Sequence, residues 1–275
     1  MIFHDQLIDA VPLAVLDTET TGLEPALGHR VIELAILRLE GWQETGQMDE
    51  LVNPGRPISP SASRVNQIVD ADVTNAPRFP DLVGRVADLL EGTLVVAHNA
   101  AFDAAFIAAE WTLTSLPPLT NPCACTLLLA RNWYRLPRNG LGQVARELGI
   151  RRRLAHRAMP DVWVTAQIFR RMLKDLNQWG VHTVGELMHA QGGIISFPAP
   201  AQVALPSPLD RAVQQHTPIG IRYLDDHGNV TERVIEPYFL RSYQGDGYLT
   251  AFCRLRNAQR TFRIDRILAA FPAYP

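Results

Sequence analysis

Residues 13–16, Leu-Ala-Val-Leu, form an apolar run with no polar alternation. That pattern belongs to a strand covered on both faces, and it commits this part of the chain to the interior of an α/β sheet rather than to a half-exposed one. Two acids follow at once, Asp17 and Glu19. In extended backbone residues two apart point to the same side, so both carboxylates face one point in space. Two adjacent negative charges are unfavourable unless a proton or a cation neutralises them. Oxygen-only ligands favour hard divalent ions such as Mg²⁺ or Mn²⁺. A strand end running into a polar turn reads equally well from this stretch alone, because Asp, Thr and Gly are ordinary turn residues.

Downstream, residues 30–40 and the stretch to Val52 read as two further strands about a turn at Gly41, closed by Asn53-Pro54-Gly55. Residues 59–80, rich in Pro, Ser and Asn, predict loop with a short helix. Apolar spacing predicts a helix over 79–90, a strand over 93–97 and a helix over 102–111. Strand, polar turn and helix repeat as in an α/β sheet, where functional groups collect at the carboxyl ends of strands. Helices are expected over 140–148, 159–176 and 181–191. Residues 192–208 carry Gly, Pro, Ala and Ser and no charge, which reads as a linker. The rest predicts a short helix over 209–215, strands at 219–224, 230–235, 248–255 and 260–264, and a hairpin turn at 225–229. The expected organisation is therefore an α/β domain over 1–191, a linker over 192–208 and a small β-rich domain over 209–275.

With 275 residues and 47% hydrophobic content, the chain has ample material for a core. No basic leader precedes an apolar segment and no apolar run approaches a bilayer's thickness, so a cytoplasmic protein without a membrane partner is expected. Cys123, Cys125 and Cys253 have no metal-site spacing and read as small buried hydrophobes. A net charge of −2 argues against indiscriminate polyanion binding, yet eight arginines crowd residues 131–157 against Glu147 alone. Of these, Arg138, Arg151, Arg152 and Arg153 are candidates for a phosphate backbone, a solvated surface run being the competing reading.

Asp103 follows a strand end by a few residues, and His156 and Asp161 precede and open the helix at 159–176. Each taken singly fits a dipole-stabilised or surface residue. Four carboxylates and a histidine, all at strand ends or helix starts, point together to a catalytic constellation. Asp17-Thr18-Glu19-Thr20-Thr21-Gly22, His98-Asn99-Ala100-Ala101-Phe102-Asp103 and His156-Arg157-Ala158-Met159-Pro160-Asp161 resemble the three motifs of the DEDDh-type 3′-to-5′ exonucleases, the family of the proofreading epsilon subunits. The resemblance implies an RNase H-like fold, with a mixed sheet flanked by helices, and two Mg²⁺ or Mn²⁺ ions per site. Asp17, Glu19 and Asp161 would hold one ion, and Asp17 and Asp103 the other. His156 would be the general base, since an imidazole accepts a proton near neutral pH. Thr20, Leu23 and Phe102 would contact the terminal nucleotide, although core packing is an equal reading for Leu23 and Phe102.

The second domain carries Ile221-Arg222-Tyr223, residues 232–238, Gly247-Tyr248-Leu249 and residues 260–267, which resemble the WYL domain, an Sm-like β-barrel module. Gly247 stands where that family has Trp. Tyr223, Tyr248, Arg260, Arg263 and Arg266 are the candidate ligand contacts, because aromatics interleaved with arginine suit single-stranded nucleic acid. A docking module whose arginines pair with nearby acids is the alternative. The expected activity is thus a metal-dependent 3′-5′ exonuclease on nucleic acid with single-stranded 3′ ends, DNA favoured over RNA. Alternatives are an RNA-directed exoribonuclease, a regulatory binding protein with an inert exonuclease fold, and a proofreading subunit docked on a polymerase. The last calls for a polymerase-binding tail where this chain has a folded domain, which leaves a protein partner for that domain open.

Overall fold

The computed structural model describes residues 3–25, 28–114, 116–151, 157–199, 205, 207–215, 217–243 and 246–273. The chain divides into two compact units. One comprises Met1–Gly22, Arg30–Trp111 and Pro117–Pro198, the other Leu23–His29, Thr112–Leu116 and Ala199–Pro275.

The first unit is built on strands β1 (Leu13–Thr20), β2 (Val31–Glu40), β3 (Gln43–Leu51), β4 (Leu94–Ala97), β5 (Pro122–Cys125) and β6 (Ile195–Ser196), in the order β3-β2-β1-β4-β5-β6. β1, β4 and β5 run parallel, and β2, β3 and β6 pair antiparallel, so the sheet is mixed. The helices are α1 (Pro60–Asn66), α2 (Asp70–Val73), α3 (Phe79–Leu90), α4 (Ala100–Trp111), α5 (Thr126–Trp133), α6 (Leu141–Glu147), α7 (Ala158–Gln178) and α8 (Val184–Ala190). Alternation along β1 divides the core. Leu13 and Val15 pack with Val162, Ala166 and Phe169 of α7. Ala14 and Leu16 pack with Ala100, Ala104 and Phe106 of α4 and with Phe79 and Val86 of α3. The central strand therefore lies between two helical layers, as its unbroken apolar run requires.

α4 is mostly buried, and its many alanines let it lie close to its neighbours. Near its end Glu110, 1% exposed, accepts from Arg30 Nε at 2.7 Å, Arg30 Nη2 at 2.6 Å and the Val31 amide at 3.1 Å. This bidentate pair pins the start of β2, so a buried charge is fully hydrogen-bonded.

Three differences from the sequence reading concern short elements. β5 and α5 arise where no element was expected, and residues 59–80 hold two short helices rather than one. Ile195–Ser196, inside the stretch read as linker, adds a two-residue strand to β5. Such elements are too short to express a period and are stabilised by their neighbours rather than by their own pattern.

The second unit contains α9 (Ser207–Gln215) and strands β7 (Ile219–Leu224), β8 (Val230–Tyr243), β9 (Asp246–Cys253), β10 (Ala258–Arg263) and β11 (Ile267–Pro272), ordered β10-β9-β8-β7-β11 and all antiparallel. β11 is an additional strand that the sequence did not suggest. The five strands form one antiparallel sheet, with no ladder between β10 and β11 among the described residues. Leu209 and Ala212 of α9 pack with Ile221, Ile235, Leu249 and Phe262 in its core. All three cysteines are buried thiols. No described helix is long and apolar enough to cross a membrane.

Candidate active site

Asp17 and Glu19 continue the odd-numbered face of β1 toward α7, and Thr18 continues the opposite face toward α4. From α7, Asp161 in the first turn reaches the acids. One carboxylate oxygen from each of Asp17, Glu19 and Asp161 lies within 4.8 Å of the others. From α4, Asp103 is drawn in by Thr18, whose amide and hydroxyl both donate to Asp103 Oδ1, at 3.0 and 2.8 Å. Asp103 and Asp161 are 3% and 5% exposed, a depth of burial that is rare for acids.

The start of α4 is set by Asn99, which takes a left-handed φ of 75° and whose carbonyl accepts from the Phe102 amide at 2.8 Å. Asn tolerates that conformation where most residues do not. The turn lets the chain leave β4 and enter α4 with Asp103 in its first turn. Between them, His98 spans the site floor, with Nδ1 2.9 Å from Thr126 Oγ1 and Nε2 2.9 Å from the Asn139 carbonyl. Both ring nitrogens are engaged in structural bonds, so His98 serves as a tie.

Crowding of like charges and burial act together on these acids. Asp17 is held well above the usual carboxylate range, by burial first and then by Asp103, Glu19, Asp161 and Glu33. Glu19 is pushed up to about 7 by burial and by Glu33, Asp161 and Asp103, against a lowering hydrogen bond from Asn66. Burial likewise raises Asp103 to about 7, although the bonds from Thr18 pull it back. Such a group of acids stays ionised together only with a counter-charge, and an oxygen donor set of this kind suits a hard divalent cation. The residues fit the metal that the sequence motifs imply.

A cleft of about 400 Å³ opens over the acids, lined by Asp17, Thr18, Glu19, His98, Phe102, Asp103, Gly140, Leu141, Gly142, Gln143 and Asp161. Phe102 lines it while packing on Phe106 at a ring separation of 4.9 Å. The Thr20 hydroxyl donates to the Gly22 carbonyl at 2.6 Å, and Leu23 is 77% exposed. Arg138 and Arg151 are exposed, and Arg138 directly precedes Asn139, whose carbonyl binds His98. Arg152, Arg153 and His156 lie outside the described residues. Sequence reasoning missed the cleft wall at 140–143, whose Gly-Leu-Gly-Gln carries no titratable group to attract notice, and the anchoring role of Thr18. It also passed over Glu33, a buried acid inside an apolar strand.

In the second unit Tyr223 is 9% exposed and meets Phe262 edge-on at 5.1 Å, with the Arg233 guanidinium 5.4 Å over its ring. Its hydroxyl accepts from the Arg263 amide at 3.3 Å. Arg263 pairs with Asp265 at 2.7 Å and Asp246 at 3.2 Å, and Arg266 pairs with Asp226. Arg260 is exposed and Tyr248 half-buried.

Comparison with known proteins matches residues 14–169 to the exonuclease family model RNase_T and residues 205–272 to the WYL domain model. The DNA polymerase III subunit epsilon of Treponema pallidum (strain Nichols) is 33% identical over 193 residues, covering 67% of this chain and 86% of that protein. A DNA polymerase III subunit epsilon-like protein of Rhodobacter capsulatus is 34% identical over 186 residues, 66% of this chain. The matched region spans about a quarter of that relative, 26%. Among solved structures, Exonuclease X in complex with 5′ overhanging duplex DNA is 27% identical with a TM-score of 0.50, covering 66% of this chain and 99% of that one. E. coli Exonuclease I in complex with a dT13 oligonucleotide shares the fold at a TM-score of 0.56 and 15% identity, covering 96% of this chain and 66% of that one.

Proposed function

The chain belongs to the exonuclease family and carries a C-terminal WYL domain, and from that premise we propose that it is a metal-dependent 3′-5′ exonuclease that hydrolyses phosphodiester bonds at single-stranded 3′ ends, DNA in preference to RNA. The observation that carries the reading is the convergence of Asp17, Glu19 and Asp161 within 4.8 Å, with Asp103 held beside them by Thr18.

Asp17, Glu19 and Asp161 would hold one Mg²⁺ or Mn²⁺, and Asp17 and Asp103 a second. Ions bound there supply an acidified water and stabilise charge on the departing oxygen. The chain's own part is to gather the carboxylates and to exclude bulk water from beneath them, and His156 would be the proton acceptor. Phe102, in the cleft wall, offers a ring face to the terminal base, and Thr20 and Leu23 would be the further contacts of that nucleotide. Arg138, Arg151, Arg152 and Arg153 would hold upstream phosphates. DNA is favoured because relatives over 30% identical are a DNA polymerase III subunit epsilon and an epsilon-like protein, and Exonuclease X was captured on duplex DNA.

Residues 1–191 would act as the catalytic domain, 192–208 as a linker, and 209–275 as a module that grips or senses the strand. In that module Arg260 and Tyr248 are the better-placed contacts, since Arg263 and Arg266 already face acids. The test is turnover of end-labelled single- and double-stranded DNA and RNA in Mg²⁺ or Mn²⁺. Release of mononucleotides from the 3′ end of DNA, lost in excess EDTA, is expected. Activity that persists in EDTA, or degradation confined to RNA, contradicts the reading.

A further inference from the structure

Glu33 lies opposite Glu19 in the β1–β2 ladder and is 1% exposed. Paired residues of an antiparallel ladder share a face, so Glu33 points toward α7, as Asp17 and Glu19 do. Its Oε1 accepts from Arg157 Nε at 2.8 Å and Nη2 at 2.7 Å, and its Oε2 accepts from the Ala158 amide at 3.0 Å. Ala158 is the first residue of α7, and Arg157, at the N-cap position, is extended and makes no capping bond with its side chain. The first amides of a helix have no partner within it. Glu33 thus supplies, from 124 and 125 residues away in sequence, a cap that α7 lacks locally. One turn on, the Asp161 amide donates to the Arg157 carbonyl at 3.3 Å.

A cap alone would need no charge, and a carboxylate is a costly choice beside four others. Glu33 adds to the repulsion on Asp17 and Glu19. What a carboxylate provides and a hydroxyl does not is a fork that holds a guanidinium and a helix amide at once. This fixes both the height and the rotation of the first turn of α7 against the strand pair that carries Asp17 and Glu19.

We propose that Glu33 and Arg157 form a positioning clamp that sets Asp161 in register with Asp17 and Glu19, so that the three carboxylates meet a divalent cation together. The inference rests on the metal-dependent reading above. Direct coordination needs distances of about 2.0–2.6 Å, so a shift of the helix start by a fraction of a turn would remove one ligand.

The test is calorimetric titration of the full-length protein with Mn²⁺ in the absence of nucleic acid, comparing wild type with Glu33→Gln, Arg157→Ala, the double variant and Asp161→Ala. A clamp predicts that both single variants weaken Mn²⁺ binding, each by about fivefold or more, and that the double variant is no worse than the weaker single, because they break one device. In steady-state hydrolysis kcat falls about tenfold, on the scale of small misplacements, while KM for the strand stays within about twofold. If Glu33 acted only through its charge, the two variants would move Mn²⁺ affinity in opposite directions, since one removes a negative charge and the other uncovers it. That outcome, multiplicative losses, or wild-type affinity in both variants overturns the clamp. Should Glu33→Gln fail to fold, Arg157→Ala with Arg157→Lys carries the test: lysine restores the charge but not the fork, and full recovery by lysine also overturns the clamp. Mn²⁺ binding by the wild type but not by Asp161→Ala, with both single variants unaffected, removes the clamp and leaves the functional reading standing. No Mn²⁺ binding by the wild type removes both.

Discussion

The two sheets handle charge in opposite ways. At the carboxyl end of β1 the chain brings Asp17, Glu19, Asp103 and Asp161 into one cleft, with Glu33 behind them. In the antiparallel sheet of the second unit, opposite charges meet. Arg222 pairs with Glu232 at 2.9 Å, Arg254 with Glu236 at 3.0 Å, Arg263 with Asp265 at 2.7 Å and Arg266 with Asp226. Paired charges on a surface hold a fold weakly and leave little attraction for a ligand. Gathered like charges in a buried place cost stability and are kept where a cation is to be bound. The contrast separates a site from a surface more sharply than the abundance of arginine does.

The largest expected effect tests the first half of that contrast. Asp161→Ala should lower hydrolysis by about a hundredfold or more, the scale of losing one electrostatic stabiliser. The variant should keep the wild-type far-ultraviolet spectrum and a cooperative melt, so that the loss is one of chemistry and not of folding. Loss of the cooperative melt would mean that Asp161 acts through the fold and not as a ligand. Next in size, Phe262→Ala should cost the antiparallel unit about 3–5 kcal/mol in urea unfolding, since the ring is 1% exposed and packs on Tyr223. A loss under about 1 kcal/mol would show that Tyr223 and Phe262 are available to a ligand rather than bound up in the core.

A smaller effect concerns pH. Glu19 and Asp103 rise from ordinary values of 4.5 and 3.8 to about 7 in the folded protein. Between those limits the folded state binds more protons than the unfolded one, so metal-free stability falls as pH rises and levels off above about 7. Melting temperature should drop by several degrees from pH 5 to pH 8 without metal, and Mn²⁺ should restore it mainly at the higher pH. A flat metal-free profile would mean that the acids find a counter-charge within the protein. The smallest effect divides the arginines of the second unit. Arg260→Ala should reduce the salt slope of strand binding by about one contact, whereas Arg266→Ala, already paired with Asp226, should leave it unchanged. Equal losses would erase the distinction between paired and available cations.

Much of the first unit was legible because its determinants are local. The apolar run at 13–16 needs two covering layers, and the acids after it sit at fixed parity on the strand. β5, by contrast, is four residues opened by Pro122, and its place in the sheet comes from pairing with β4. β11 pairs with β7, nearly fifty residues earlier, across a register shift that no local pattern announces. Glu33 could not be recognised for the same reason. Its partners are 124 and 125 positions away, and within Val-Ile-Glu-Leu-Ala nothing local reveals what it holds. The predicted contacts at Tyr223, Arg263 and Arg266 rested on strand alternation, which says which residues share a surface and is silent on what already occupies them.

The odd-even division along β1 makes the cleft sensitive to phase. Removing one residue between Val15 and Asp17 would turn both acids to face α4 and leave Thr18 facing α7, with composition and mean hydropathy almost unaltered. Evolution can therefore exchange most of the apolar residues in this strand for one another, but it can scarcely change their number.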